Sequence, residues 1–118
     1  RDRGMNREVL EAGGIDVQGA LDRMMGNEKL LARLLGKFLD DMSFSRLETA
    51  LAEHDADAAF SAAHTLKGVA GNLSVTTVYE LAGRQCDLLR AGSDEAAALM
   101  PRLGDAYRAA QDAIRAGV

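Results

Sequence analysis

Apolar residues recur at spacings of three and four along most of the chain, the period of amphipathic helices rather than of strands. Residues 16–25, DVQGALDRMM, bring Val17, Leu21 and Met24/Met25 into line, with Asp16 placed as an N-cap. Gly13 and Gly14 set this segment apart from a further helical turn around residues 5–12. Asn27 caps a long pattern over residues 28–53. Its first half presents Leu30, Leu31, Leu34, Leu35, Phe38 and Met42, and its second half Phe44, Leu47 and Leu51. At about 100° per residue the stripe shifts by roughly half a turn between Met42 and Leu47, which predicts a bend, or a change of packing partner, near MSFS. HDAD (54–57) is a joint, with Asp55 capping a helix over residues 56–72. LSVTT (73–77) is the next joint, and Thr77 with Glu80 reads as a capping box for a helix ending near Arg90. Gly92 and Ser93 separate it from a last helix over residues 94–116, in which Pro101 removes a backbone donor and predicts a kink. Short joints between long amphipathic helices imply antiparallel neighbours, hence an all-α, up-and-down four-helix bundle with an additional short N-terminal helix.

Composition agrees. The 118 residues suit one domain, read as a lead-in over residues 1–15 and a bundle over residues 16–118. Alanine and leucine dominate, there is one proline, and aromatic residues are only 4% of the chain, which favours helices over a sheet. The net charge of −4 comes from interspersed acids and bases with no basic stripe, so nucleic acid is excluded as a partner. No apolar run approaches the ~18 residues of a membrane span and no signal peptide is evident, so no membrane contact is expected. The single cysteine, Cys86, cannot form an internal disulfide and suits a reducing compartment. Two histidines and one cysteine make no metal cluster. The chain starts at Arg1 rather than Met, as a domain excised from a longer protein would.

The stretch that points to chemistry is AHTLKGVAGN, residues 63–72. On a helical wheel Phe60, Ala63, Leu66, Ala70 and Leu73 share the core side, with Ala62 and Val69 at its margin. Ser61, His64, Thr65, Gly68, Gly71 and Asn72 share the other side, and Lys67 lies on the border. Exposed histidines on helices are most often simply solvated. Here Gly68 and Gly71 stack along the helix from His64, although each glycine weakens a helix interior by about 1 kcal/mol against alanine. Bare backbone at Gly68 opens a flat patch beside the imidazole and admits another molecule. Lys67, three residues on, can bring a point charge to an anion carried on the ring. An exposed imidazole, a nearby ammonium and a cleared surface fit a nucleophile that receives a phosphoryl group from another protein. His54, among Glu53, Asp55 and Asp57, reads instead as a cation at a helix C-terminus.

AAHTLKGVAGNLS, residues 62–74, resembles the signature of the histidine-containing phosphotransfer (HPt) domains of bacterial phosphorelays, roughly AHxLKGxAxxxG. Residues 13–41 resemble the family's N-terminal region, and residues 47–68 its second and third helices. The resemblance implies His64 as phosphoacceptor, Lys67 as the group that stabilises the phosphoryl, and Gly68 as the point of partner access. It implies response-regulator receiver domains as partners, which bring the phospho-aspartate and Mg²⁺, and no cofactor intrinsic to this chain. No phosphate-binding glycine loop of the P-loop type is visible, so the domain is expected to be a carrier and not an autonomous kinase. A hybrid sensor kinase is an expected partner, and the domain is expected to be monomeric and cytoplasmic, or at the cytoplasmic end of such a membrane-bound kinase.

By analogy with the family, the docking surface centres on Ser61, Thr65 and Gly71 around His64 and extends to Phe38, Met42 and Ser45. Two departures stand out. Ser74 occupies a position where many members have glycine, a change expected to affect only the joint. Gln85 and Cys86 stand where members carry a polar side chain on the fourth helix. Gln85 could hydrogen-bond the imidazole or the phosphoryl oxygens, while Cys86 reads as a small buried residue; which of the two faces His64 is open at this level. Two rivals share much of this pattern: the phosphorylated N-terminal domain of a chemotaxis-type kinase, and a receiver-binding bundle that never takes a phosphoryl group.

Overall fold

The structure, a computed structural model, describes residues 4–118. Among these residues the chain forms seven helices: α1 (Arg7–Ala12), α2 (Val17–Arg23), α3 (Glu28–Phe38), α4 (Ser43–Ala52), α5 (Ala56–Asn72), α6 (Thr76–Arg90) and α7 (Glu95–Gly117). The broken rod α3–α4, with α5, α6 and α7, forms the four-helix bundle. No described helix is long and apolar enough to cross a membrane.

Local chemistry sets most of the boundaries. Asp16, Asn27 and Asp55 cap α2, α3 and α5 by accepting from the backbone N–H of Gly19, Leu30 and Ala58. Asn6 does the same for α1 through Val9. The capping box expected from Thr77 and Glu80 does not form. α6 begins two residues earlier, with Val75 at its N-cap and Thr76 donating its hydroxyl to the Gly14 carbonyl. Gly92, at φ +67°, turns the chain out of α6, and Ser93 accepts from the Glu95 N–H at the start of α7. α7 then runs unbroken through Pro101.

The pattern over residues 28–53 proves to be two helices with a joint at residues 39–42 rather than one bent helix. The cause lies on α7. The rings of Phe38 and Phe44 both pack on Tyr107, at 5.5 and 4.7 Å between centroids. Six residues apart on a continuous helix, they would point about 120° apart. Breaking the helix lets both reach the same ring. Tyr107 donates its hydroxyl to the Asp41 carbonyl at 3.2 Å. The Asp41 carboxylate accepts from the Ser43 N–H and hydroxyl, which caps the restarted helix.

The expected lead-in is part of the fold over its described residues; residues 1–3 lie outside them. Leu10 is fully buried, the Asn6 N–H donates to the Gly117 carbonyl at 2.8 Å, and Gly13 lies so close to Ala113 that no side chain fits between them. The N-terminal region therefore holds two short helices, α1 and α2, on either side of Gly13 and Gly14, where the expected helical turn and amphipathic segment lie. Ile15 pairs with Val75 in an isolated bridge, and the Asp16 N–H donates to the Ser74 carbonyl, which ties this region to the joint between α5 and α6.

Burial and the neighbouring Asp41 push the Tyr107 hydroxyl up from 10.0 to about 12. A group whose proton is held more tightly in the folded state stabilises fully below its unfolded value and loses that contribution as pH rises. Unfolding by denaturant should therefore show a loss of stability from pH 10 towards 12 that Tyr107→Phe removes. An identical slope in the variant would refute the assignment.

Candidate functional site

α5 is held between α4 and α6, and its buried residues fix its rotation. Ala59, Ala63, Leu66 and Ala70 are fully buried, with Ala62 beside them. His64, Ser61, Thr65, Gly68 and Asn72 are exposed, as the wheel requires, and Lys67 is half-buried. Phe60 lies at the margin rather than in the core. Its ring stands 6.0 Å from the imidazole of His64 and carries the Arg90 guanidinium over its face at 5.2 Å.

The two glycines do different things. A Cβ added to Gly68 would meet nothing within 4 Å, so the surface beside His64 is open. A Cβ at Gly71 would come within 3.0 Å of two carbons of the Tyr79 ring, so this glycine lets a side chain of α6 lie down on α5. Lys67 crosses towards α6. Its Cε passes 3.5 Å from where a Cβ at Gly83 would stand, and its ammonium lies 5.6 Å from the Tyr79 ring centroid.

These groups line one open depression of about 640 Å³. His64, Lys67, Gly68 and Gly71 form the α5 side, Tyr79 the α6 side, and Asp16, Gly19 and Arg23 of α2 a third wall. Arg23 donates to the Gly71 carbonyl at 2.8 Å and to the Ser74 hydroxyl, which ties α2 to the end of α5. Ser74 has φ +54°, the left-handed region where glycine is the easy choice. Lys67 and Arg23 are the cations of the depression; the one carboxylate lining it, Asp16, is engaged as the α2 cap. Such a wall attracts an anion, and the exposed imidazole within it is free to be approached.

Gln85 does not face His64. It is fully buried and turned to α7, where its Nε2 donates to the Ala96 carbonyl at 2.8 Å and to the Met100 sulfur at 3.2 Å. Its Oε1 has no hydrogen-bond partner, the imidazole of His64 included. Cys86 is buried in the core. Burial pushes its thiol up, against the opposing pull of the Lys67 and Arg90 charges. Phe38 is 1% exposed and belongs to the core against Tyr107, which removes it from any docking surface. Met42 and Ser45 are exposed, but neither lines the depression at His64; Ser61 and Thr65 flank the histidine outside it. His54 ends α4 at φ +56°, exposed and away from the site. Among the described residues no group of three or more His, Cys, Asp or Glu could hold a metal.

Tyr79, Arg23 and Arg90 are the residues that sequence periodicity missed. A tyrosine among polar positions and two arginines at helix ends carry no local signal, because their roles arise from contacts across helices.

A family model described as Hpt domain matches residues 33–116. No curated protein and no solved structure matches the chain. The matched region begins within α3, so α1 and α2, and with them the Arg23 wall, lie ahead of it.

Gly68→Ala should raise the thermal midpoint by a few degrees, since it removes about 0.5–1 kcal/mol of helix penalty without a clash. Gly71→Ala should gain less or nothing, because the new methyl must displace the Tyr79 ring; equal gains would contradict the packing. The imidazole ¹⁵N shifts of His64 should be unmoved in Gln85→Leu, and a displaced resonance would show that the amide does reach the ring.

Proposed function

The chain belongs to the Hpt domain family, and from that premise we propose that His64 accepts a phosphoryl group from the phospho-aspartate of a response-regulator receiver domain and passes it to another. Hpt domains are phosphocarriers of two-component signalling rather than kinases, and they engage receiver domains. The single observation that carries the assignment to His64 is its exposed imidazole beside an uncovered Gly68, with Lys67 one turn on.

The neutral ring attacks phosphorus through one nitrogen, Nε2. The N–P bond forms as the bond from phosphorus to the aspartyl oxygen breaks, and the carboxylate leaves with the electron pair. The proton on Nδ1 stays, and the ring carries the resulting positive charge. Little covalent work falls to the protein in such a transfer, so positioning and charge decide the rate. Gly68 lets the receiver's backbone close on the ring. Lys67 places a positive charge near the phosphoryl oxygens. Magnesium brought by the receiver would supply further positive charge at the same oxygens. The reverse step hands the group to a second receiver, so the domain is regenerated rather than turning over substrate. Ser61 and Thr65 flank the ring on the proposed docking face, with Met42 and Ser45 further out; Phe38 is not part of it. A hybrid sensor kinase as donor and a cytoplasmic setting go with this reading.

Mixing the domain with receivers carrying radiolabelled phosphate should give acid-labile label on the wild type and none on His64→Gln. No transfer from any receiver of the host would sink the proposal. Gly68→Gln should keep the fold yet slow transfer by about 10- to 100-fold, as misplacement at a reacting centre does; an unchanged rate would overturn the access role of Gly68.

A further inference from the structure

Lys67 does not extend freely into solvent. Its stem lies across α6 at Gly83, and its ammonium stands 5.6 Å from the centroid of the Tyr79 ring. Tyr79 is 42% exposed, so its ring is open to the depression, yet its edge is seated against α5 in the notch that Gly71 leaves. Three contacts act in series: Gly71 lets the ring down, the ring holds the ammonium, and Gly83 clears the path of the stem. Lys67 is at the same time a helical neighbour of His64, three residues on, within reach of anything attached to the imidazole.

Resting on the reading of His64 as phosphoacceptor, we infer that Tyr79 is a positioning residue for Lys67: it keeps the ammonium against α6 while His64 is bare and releases it when the ring becomes phosphorylated. The strengths of the two interactions set the direction. A cation over a part-exposed aromatic ring is held weakly. A phosphoryl group carries nearly two negative charges and oxygens that accept charge-assisted hydrogen bonds, so it wins the ammonium. A carboxylate at position 79 would hold the lysine more firmly and would repel the incoming phosphoryl group. The neutral ring does neither. While the lysine rests there, its long side chain stays off the open surface at Gly68 through which a partner must approach.

The test needs no identified partner. Phosphoramidate serves as the phosphoryl donor, and NMR follows the Lys67 ε-methylene protons. In the free protein these protons should be shifted upfield by the Tyr79 ring, equally so in Tyr79→Phe, and should return to an ordinary position in Tyr79→Leu. The shift should vanish in the wild type once His64 is phosphorylated. Because the ring competes for the ammonium, Tyr79→Leu should raise the equilibrium ratio of phosphorylated to free His64 by about three-fold, and this gain should disappear in a Lys67→Met background. No ring shift in the free protein, or one that persists after phosphorylation, would overturn the inference and leave the carrier function standing. If His64 takes no phosphoryl group while the ring shift is present, the carrier reading fails together with the release step, and Tyr79 is left as a purely structural support for Lys67.

Discussion

Leu66 and the alanines around it on α5 let α4 and α6 close on that helix from two sides, and the chemistry at His64 depends on the rotation this packing imposes. A fully buried leucine contributes about 1.5–3 kcal/mol. Turning α5 by even one residue position would expose Leu66 and bury His64 without a partner. The core therefore aims the imidazole outward, with the Phe60 ring beside it. The same small residues bring α6 close enough for Tyr79 and Gly83 to touch the far side of the site. The alanine-rich composition is thus a condition for the site as well as for the helices.

A second constraint operates where α7 meets α3 and α4. Tyr107 gathers Phe38, Phe44 and the Asp41 backbone into one cluster, and the break between α3 and α4 follows from it. Gln85 belongs to the same kind of work, tying α6 to the first turns of α7 through the Ala96 carbonyl. A polar side chain on the helix beside the histidine was a plausible partner for the imidazole. Its amide instead serves the packing of α7, and the face of α6 that meets the site is supplied by Tyr79 and Gly83.

The end of α5 shows how the N-terminal helices enter the site. Ser74 takes a left-handed backbone conformation that costs an L-residue roughly 1–2 kcal/mol. A hydrogen bond from a charged donor contributes about 1.5–3 kcal/mol, less where solvent shares it, so Arg23 offsets the strain to a large degree. The departure from glycine at this position is therefore more than a change in a joint. It comes with an arginine from α2, and that arginine forms the third wall of the depression around His64. The region matched by the family model starts after α2, so this wall is built from chain outside it.

The sequence by itself determined the helical class, a joint within HDAD (54–57) and another at Gly92 and Ser93, the caps at Asp16, Asn27 and Asp55, and which side of α5 carries His64. All of these are written in residues close along the chain: periodicity within one helix, a capping side chain three positions from its donor, a glycine after a last turn. Tertiary structure alone decided the break at residues 39–42, the start of α6 at Thr76, the burial of Phe38, the direction of Gln85, and the separate uses of Gly68 and Gly71. In each case the deciding atom belongs to another helix: the Tyr107 ring, the Gly14 carbonyl, the Ala96 carbonyl, the Tyr79 ring. A helical wheel reports which way a side chain points from its own axis. What it meets there depends on how closely, and at what height, the neighbouring helix packs.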